Sequence, residues 1–132
     1  MKSRSEARVR VVLGLYIACF GVGACNHARD FISYGWRPYH WGFPLLEIFW
    51  TSLIFLDALA IATLLSRFRR SGLLLAAAIM MADVAANTYA LVALDIRAFG
   101  LAVPLQAIFL GFVLGSLPFL WPRRESASGH IR

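Results

Sequence analysis

Four apolar stretches constrain this chain more than any other feature, because each is long enough to cross a bilayer as a helix. The hydrocarbon core is about 30 Å thick and takes about 20 helical residues at about 1.5 Å each. The stretches fall at 9–28, 44–66, 72–94 and 98–121. The breaks between them are short: a basic turn around Arg67, Arg69 and Arg70, and a tight polar turn from Asp95 to Arg97. Pro44 stands where a first helical turn tolerates proline. Short connections make neighbouring helices antiparallel, so the expected fold is an all-α integral membrane four-helix up-down bundle, one transmembrane domain over residues 1–132.

Composition agrees with that reading. Hydrophobic residues make up 60% of the chain and charged residues 15%, against about 45–50% and about 25% in soluble domains. The net charge of +6 raises the question of nucleic acid, but the basic residues form short clusters between apolar runs and no stripe. They read as topology signals. Lys2, Arg4, Arg8, Arg10, Arg67, Arg69, Arg70, Arg123, Arg124 and Arg132 fall on one side of the membrane, and Arg29, Arg37 and Arg97 on the other. The positive-inside rule then puts both termini in the cytoplasm, which for a bacterial chain means the cytoplasmic (inner) membrane. The lipid bilayer is the expected partner and nucleic acid is not.

Between the first two stretches lies an outer loop, 29–43, rich in aromatics with polar edges. Trp36, Tyr39 and Trp41 suit the headgroup region, with Trp121 as their inner counterpart. The loop reads either as an interfacial anchor or as a flap over a pocket. The tail 122–132 is short, polar and expected to be disordered.

Several chemistries lack their raw material. Cys19 and Cys25 point to different faces of one helix and cannot pair, and neither CxxC nor zinc spacing is present. Both read as packing residues. Val22-Gly23-Ala24-Cys25 loosely matches a lipoprotein processing site, a reading set aside because the first helix carries features that make sense only if retained. The GxSxG elbow and phosphate-binding glycine loops are absent. Haem would need axial histidines, and only His27 lies in a helix. No cofactor and no metal is expected.

Small residues suggest how the helices meet. Gly14, Ala18, Gly21, Cys25 and Ala28 share one face of the first helix, Ala76, Ala86 and Ala90 one face of the third, and Gly111 and Gly115 form a GxxxG pair in the fourth. These are expected to be tight packing seams, with a homodimer contact as the lesser alternative.

Against this apolar background a set of polar residues marks the candidate site: Asn26, His27, Asp30, Glu47, Thr51, Asp57, Asp83, Asn87 and Gln106. Hydrocarbon penalises such groups, a central Asp by about 2.5–3.5 kcal/mol, so they are expected to face the bundle interior. Counting along the helices puts His27 and Glu47 within about 5 Å of the outer surface, Thr51, Asn87 and Gln106 at about 10–12 Å, and Asp57 and Asp83 at about 18 Å. No lysine or arginine lies deep enough to neutralise the two central carboxyls. A proton or a bound cation has to balance them. The expected site is a pocket entered from the outer side. If it is catalytic, His27 or Glu47 is its accessible acid or base, and Asp57 with Asp83 stabilises positive charge. A plain structural role, with each Asp acting as interhelical glue, is the competing expectation. Proton or cation transport finds only Thr63 and Ser66 below Asp57, too little for a continuous path.

Four helices with cytoplasmic ends, an aromatic outer segment, an acid at the start of the second helix (Glu47) and a second acid within it (Asp57) resemble the EXPERA group. That group includes emopamil-binding sterol isomerases and the sigma-2 receptor. The resemblance spans residues 16 to about 121 and implies a pocket for a lipophilic or cationic small molecule faced by acidic side chains. This chain is shorter and its outer loop more compact, so no catalytic residue is carried over. The expectation is therefore a lipophile-binding membrane protein; the alternative is a non-enzymatic accessory or scaffold subunit of a larger membrane complex.

Overall fold

The computed structural model describes residues 2–121, with side chains from Arg4 onward, and the tail at 122–132 lies outside the described residues. The chain forms four helices in sequence: α1 (Lys2–Tyr34), α2 (Pro44–Leu65), α3 (Arg69–Ala93) and α4 (Phe99–Leu120). All four are long and apolar enough to cross a membrane, by length and composition.

The helix ends follow local chemistry more closely than they follow the apolar runs. α1 extends well beyond 9–28 in both directions, because arginine, glutamate and alanine are good helix formers whether or not they sit in lipid. It stops at Gly35, whose φ of +80° is left-handed, with the Gly35 N–H donating to the Phe31 carbonyl at 2.9 Å. Glycine adopts that conformation without steric cost. As a result His27 and Asp30 ride on a continuous helix, and the connection to α2 shrinks from 29–43 to 35–43. Pro44 starts α2 in its first turn. The Phe68 N–H donates to the Ser66 hydroxyl at 3.0 Å, and α3 begins at Arg69, three residues ahead of the expected 72. Asp95, at φ 51°, turns the chain from α3 into α4, while the Ile96 N–H reaches back to the Ala90 carbonyl.

Each helix packs on its neighbours in the chain, and α1 also touches α4. On α2 the buried residues are Leu46, Trp50, Leu53, Asp57, Ala60 and Leu64, a single stripe at helical spacing. Tyr16, Phe20, Leu53, Leu64, Leu73 and Val113 are the largest fully buried side chains. α2 and α3 approach closely at Gly72, where an added Cβ would lie 2.7 Å from the Leu64 nitrogen. Backbone cannot move aside as a side chain can, so only glycine fits there.

The small-residue seams hold on α3, where Ala76 and Ala90 are fully buried, but not on α1 or α4. Nothing lies within 4 Å of where a Cβ would sit on Gly14, Gly21, Gly111 or Gly115 among the described residues. α1 packs instead through Leu13, Tyr16 and Phe20. Large rings bury more contact area than small residues where the helices stand apart, and here they bridge the gap.

Candidate functional site

The helices enclose a cavity of about 610 Å³. Seven of the nine expected site residues line it: Asn26, His27 and Asp30 from α1, Asp57 from α2, Asp83 and Asn87 from α3, and Gln106 from α4. Glu47 and Thr51 stand outside its wall. Consecutive helical residues point about 100° apart, so Glu47 and Thr51 are one step round α2 from Leu46 and Trp50, which take the buried stripe. Glu47 accepts two hydrogen bonds from Arg37, Nε to Oε1 at 2.7 Å and Nη2 to Oε2 at 2.8 Å. This pair fastens the loop to the start of α2 and pushes the Arg37 guanidinium further above its ordinary range, through its hydrogen bonds to Glu47. The Thr51 Oγ1 is buried without a hydrogen-bond partner among the described residues.

Asp83, Asn87 and Gln106 form a closed network. Asn87 Nδ2 donates to Asp83 Oδ1 at 3.1 Å and to Gln106 Oε1 at 2.8 Å. Gln106 Nε2 donates to Asp83 Oδ2 at 2.7 Å. The Trp50 indole donates to Asn87 Oδ1 at 2.8 Å. An indole N–H can only donate, so it fixes which end of the Asn87 amide is oxygen, and the rest of the network follows. Three helices thereby share one polar cluster, and both oxygens of the Asp83 carboxyl are held by amide N–H groups.

Asp57 is different. It is 5% exposed and lines the cavity, yet it has no hydrogen bond and no ion pair among the described residues. Its Oδ2 lies 2.6 Å from where a Cβ on Gly23 would sit, so the carboxyl rests against bare α1 backbone. A side chain at this position would have to push the acid aside.

At the end of the bundle carrying the 35–43 loop, the Tyr39 hydroxyl donates to Asp30 Oδ2 at 2.7 Å and lies 2.9 Å from His27 Nδ1. Its single proton goes to Asp30, so its oxygen accepts from His27 Nδ1–H, and Nε2 of the neutral ring is left as an acceptor. Burial, reinforced by the hydrogen bond to Asp30, raises the Tyr39 phenol above its ordinary range. Tyr39 packs on Trp50 with ring centroids 5.7 Å apart, and Trp50 stacks on Phe99 at 5.4 Å. The loop therefore divides its duties. Tyr39 is part of the cavity wall, whereas Trp36 is 84% exposed.

The polar inventory of the sequence misses much of the wall: Trp50, Phe99, Phe20, Phe109 and Gly23. Trp50 was discoverable, since it lies seven residues before Asp57 on the same α2 face. Phe99, Phe109 and Gly23 gave no signal that separates cavity lining from ordinary apolar packing.

Four apolar helices around a mostly apolar cavity with a few polar groups define the class, a multi-pass α-helical membrane protein by length and composition. Comparison with protein-family models, curated proteins and solved structures finds no match to this chain.

Proposed function

We propose that the chain crosses the membrane as an up-down bundle with both termini in the cytoplasm, and that its cavity binds a lipophilic small molecule carrying positive charge. The observation that carries this reading is Asp57, a buried carboxyl without a hydrogen-bond partner among the described residues, facing a cavity of about 610 Å³. Ligand cavities span about 300–1,000 Å³, mostly apolar with a few placed polar groups. Taking a carboxyl out of water without a partner costs several kcal/mol, at least in part recovered when a cationic ligand completes the pair. Asp83 supports the reading by contrast, since its oxygens are occupied and Asp57 is left to meet the ligand. The resemblance to the EXPERA group points to the same chemistry. The basic clusters at Arg8, Arg10, Arg67, Arg69 and Arg70 support the orientation.

A thermal-shift screen of the detergent-solubilised protein against sterols, quinones and hydrophobic amines tests this reading. Hydrophobic amines are expected to raise the melting temperature of the parent and to lose that effect in Asp57→Asn. Equal shifts in parent and variant, or no shift with any amine, would remove the proposal.

A second reading is favoured by one observation. The glycines Gly14, Gly21, Gly111 and Gly115 meet nothing within 4 Å among the described residues, and such bare small-residue surfaces suit close helix contact in lipid. On that reading the chain is an accessory or scaffold subunit, docked on a larger membrane complex or on a second copy of itself. Gly111→Ile and Gly14→Ile would then abolish co-purification or dimer formation while leaving amine binding unchanged.

A further inference from the structure

Every cavity-lining residue contributed by α2 and α3, Trp50, Asp57 and Asp83 among them, is buried. The exposed lining residues are Ala18, Cys19, Val22 and Asn26 on α1 and Leu105 on α4. A cavity whose exposed walls all belong to two helices opens between those two. α1 and α4 are joined below that opening, where the Tyr16 hydroxyl donates to the Val113 carbonyl at 2.8 Å and Phe20 meets Phe109 with centroids 5.7 Å apart. Beyond Phe20, no hydrogen bond, ion pair or ring contact joins α1 to α4 among the described residues.

The end facing water is covered. Tyr39, tied to Asp30, packs on Trp50, and Trp50 stacks on Phe99 at an interplanar angle of 18°. The rim of the side opening includes Val22, 62% exposed, and Leu105, 57% exposed. Branched apolar groups at that depth face hydrocarbon rather than water. On the α4 side, Pro104 lacks the N–H that would bond the Gly100 carbonyl, which removes one rung of the helix beside the opening.

We infer that the cavity exchanges its ligand with the bilayer, through a lateral mouth between the outer halves of α1 and α4, and not with water through the loop end. The ligand is then a membrane-dissolved amphiphile that leads with its polar group toward Asp57 and leaves its apolar part against Val22 and Leu105. This inference rests on reading the cavity as a ligand site, but the mouth itself can be tested without any ligand.

The test uses Trp50, 2% exposed in the cavity wall, as the reporter in a chain carrying Trp36→Phe, Trp41→Phe and Trp121→Phe. In liposomes, phospholipids brominated on the acyl chain are expected to quench Trp50, and aqueous iodide is not. The native cysteines supply plug and control: Cys19 lines the cavity, and Cys25 is exposed but does not. Benzyl methanethiosulfonate on Cys19, with Cys25→Ala, is expected to at least halve the lipid quenching, and reductant to restore it. The same reagent on Cys25, with Cys19→Ala, should leave it unchanged. Stronger quenching by iodide than by bromolipid, or equal effects of the two plugs, would overturn the mouth. In the unsubstituted chain, a phospholipid with a diazirine near its chain end should label Met80, 6% exposed on α3; labelling confined to lipid-facing residues would overturn the mouth independently. A working mouth with no amine shift in the thermal screen would sink the ligand reading alone.

Discussion

Asp83 and Asp57 carry the same carboxyl, on adjacent helices and beside the same cavity, yet their surroundings are opposite. Asp83 sits on the closed side of the bundle, held through both oxygens by Asn87 and Gln106. Asp57 sits against α1 at Gly23, with no hydrogen bond among the described residues. The first arrangement fixes helices to one another. The second leaves an acid facing open space. Burial alone therefore does not tell the two acids apart; the count of satisfied oxygens does.

The largest expected effect tests that contrast directly. Gln106→Leu removes the donor to Asp83 Oδ2 and the acceptor for Asn87, and should destabilise the protein by about 2 kcal/mol in a denaturant titration in detergent. Asp57→Leu should be neutral or stabilising in the same titration, because it removes a buried polar group that has no partner to strand. Comparable losses in both variants would break the distinction. Trp50→Phe comes next, at about 1–2 kcal/mol, since it leaves Asn87 Oδ1 without its donor.

Gly23→Ala sharpens the comparison from the other helix. The new methyl must displace the Asp57 carboxyl, at a cost of about 1 kcal/mol, and should weaken the amine-induced thermal shift more than it lowers stability. Parent-like amine shifts would mean that the position of Asp57 does not matter to the ligand.

Tyr39→Phe is expected to act through pH. The fold raises the Tyr39 pKa above its ordinary 10.0, so it favours the neutral phenol over the phenolate. That contribution is fully present below about pH 10 and is lost as pH rises through the folded value. The parent should lose stability in this alkaline range more steeply than Tyr39→Phe, measured by melting temperature against pH. Arg37→Ala should have the smallest effect, a slight and salt-sensitive one, because its ion pair with Glu47 is exposed to solvent.

The apolar runs were sufficient to anticipate four helices long and apolar enough to cross a membrane, because a span is a property of contiguous sequence. The polar inventory brought out seven of the cavity's lining residues for a related reason: an ionisable or amide group within such a span must find an interior place. Helix direction was not enough to sort them further. Glu47 and Thr51 are as polar as their neighbours but lie one step round α2 from its buried stripe, and no rule of composition records which stripe meets a partner helix. The glycines of α1 and α4 failed as packing signals for the same reason. A small residue permits close approach without requiring it, and Tyr16, Phe20 and Phe109 hold those helices apart. The sequence by itself determined the number of helices and the places of the acids along them, because both depend only on positions along one chain. Tertiary structure alone decided which acid is satisfied, which end of the cavity is covered and where it opens, because each depends on what a neighbouring helix presents across the gap.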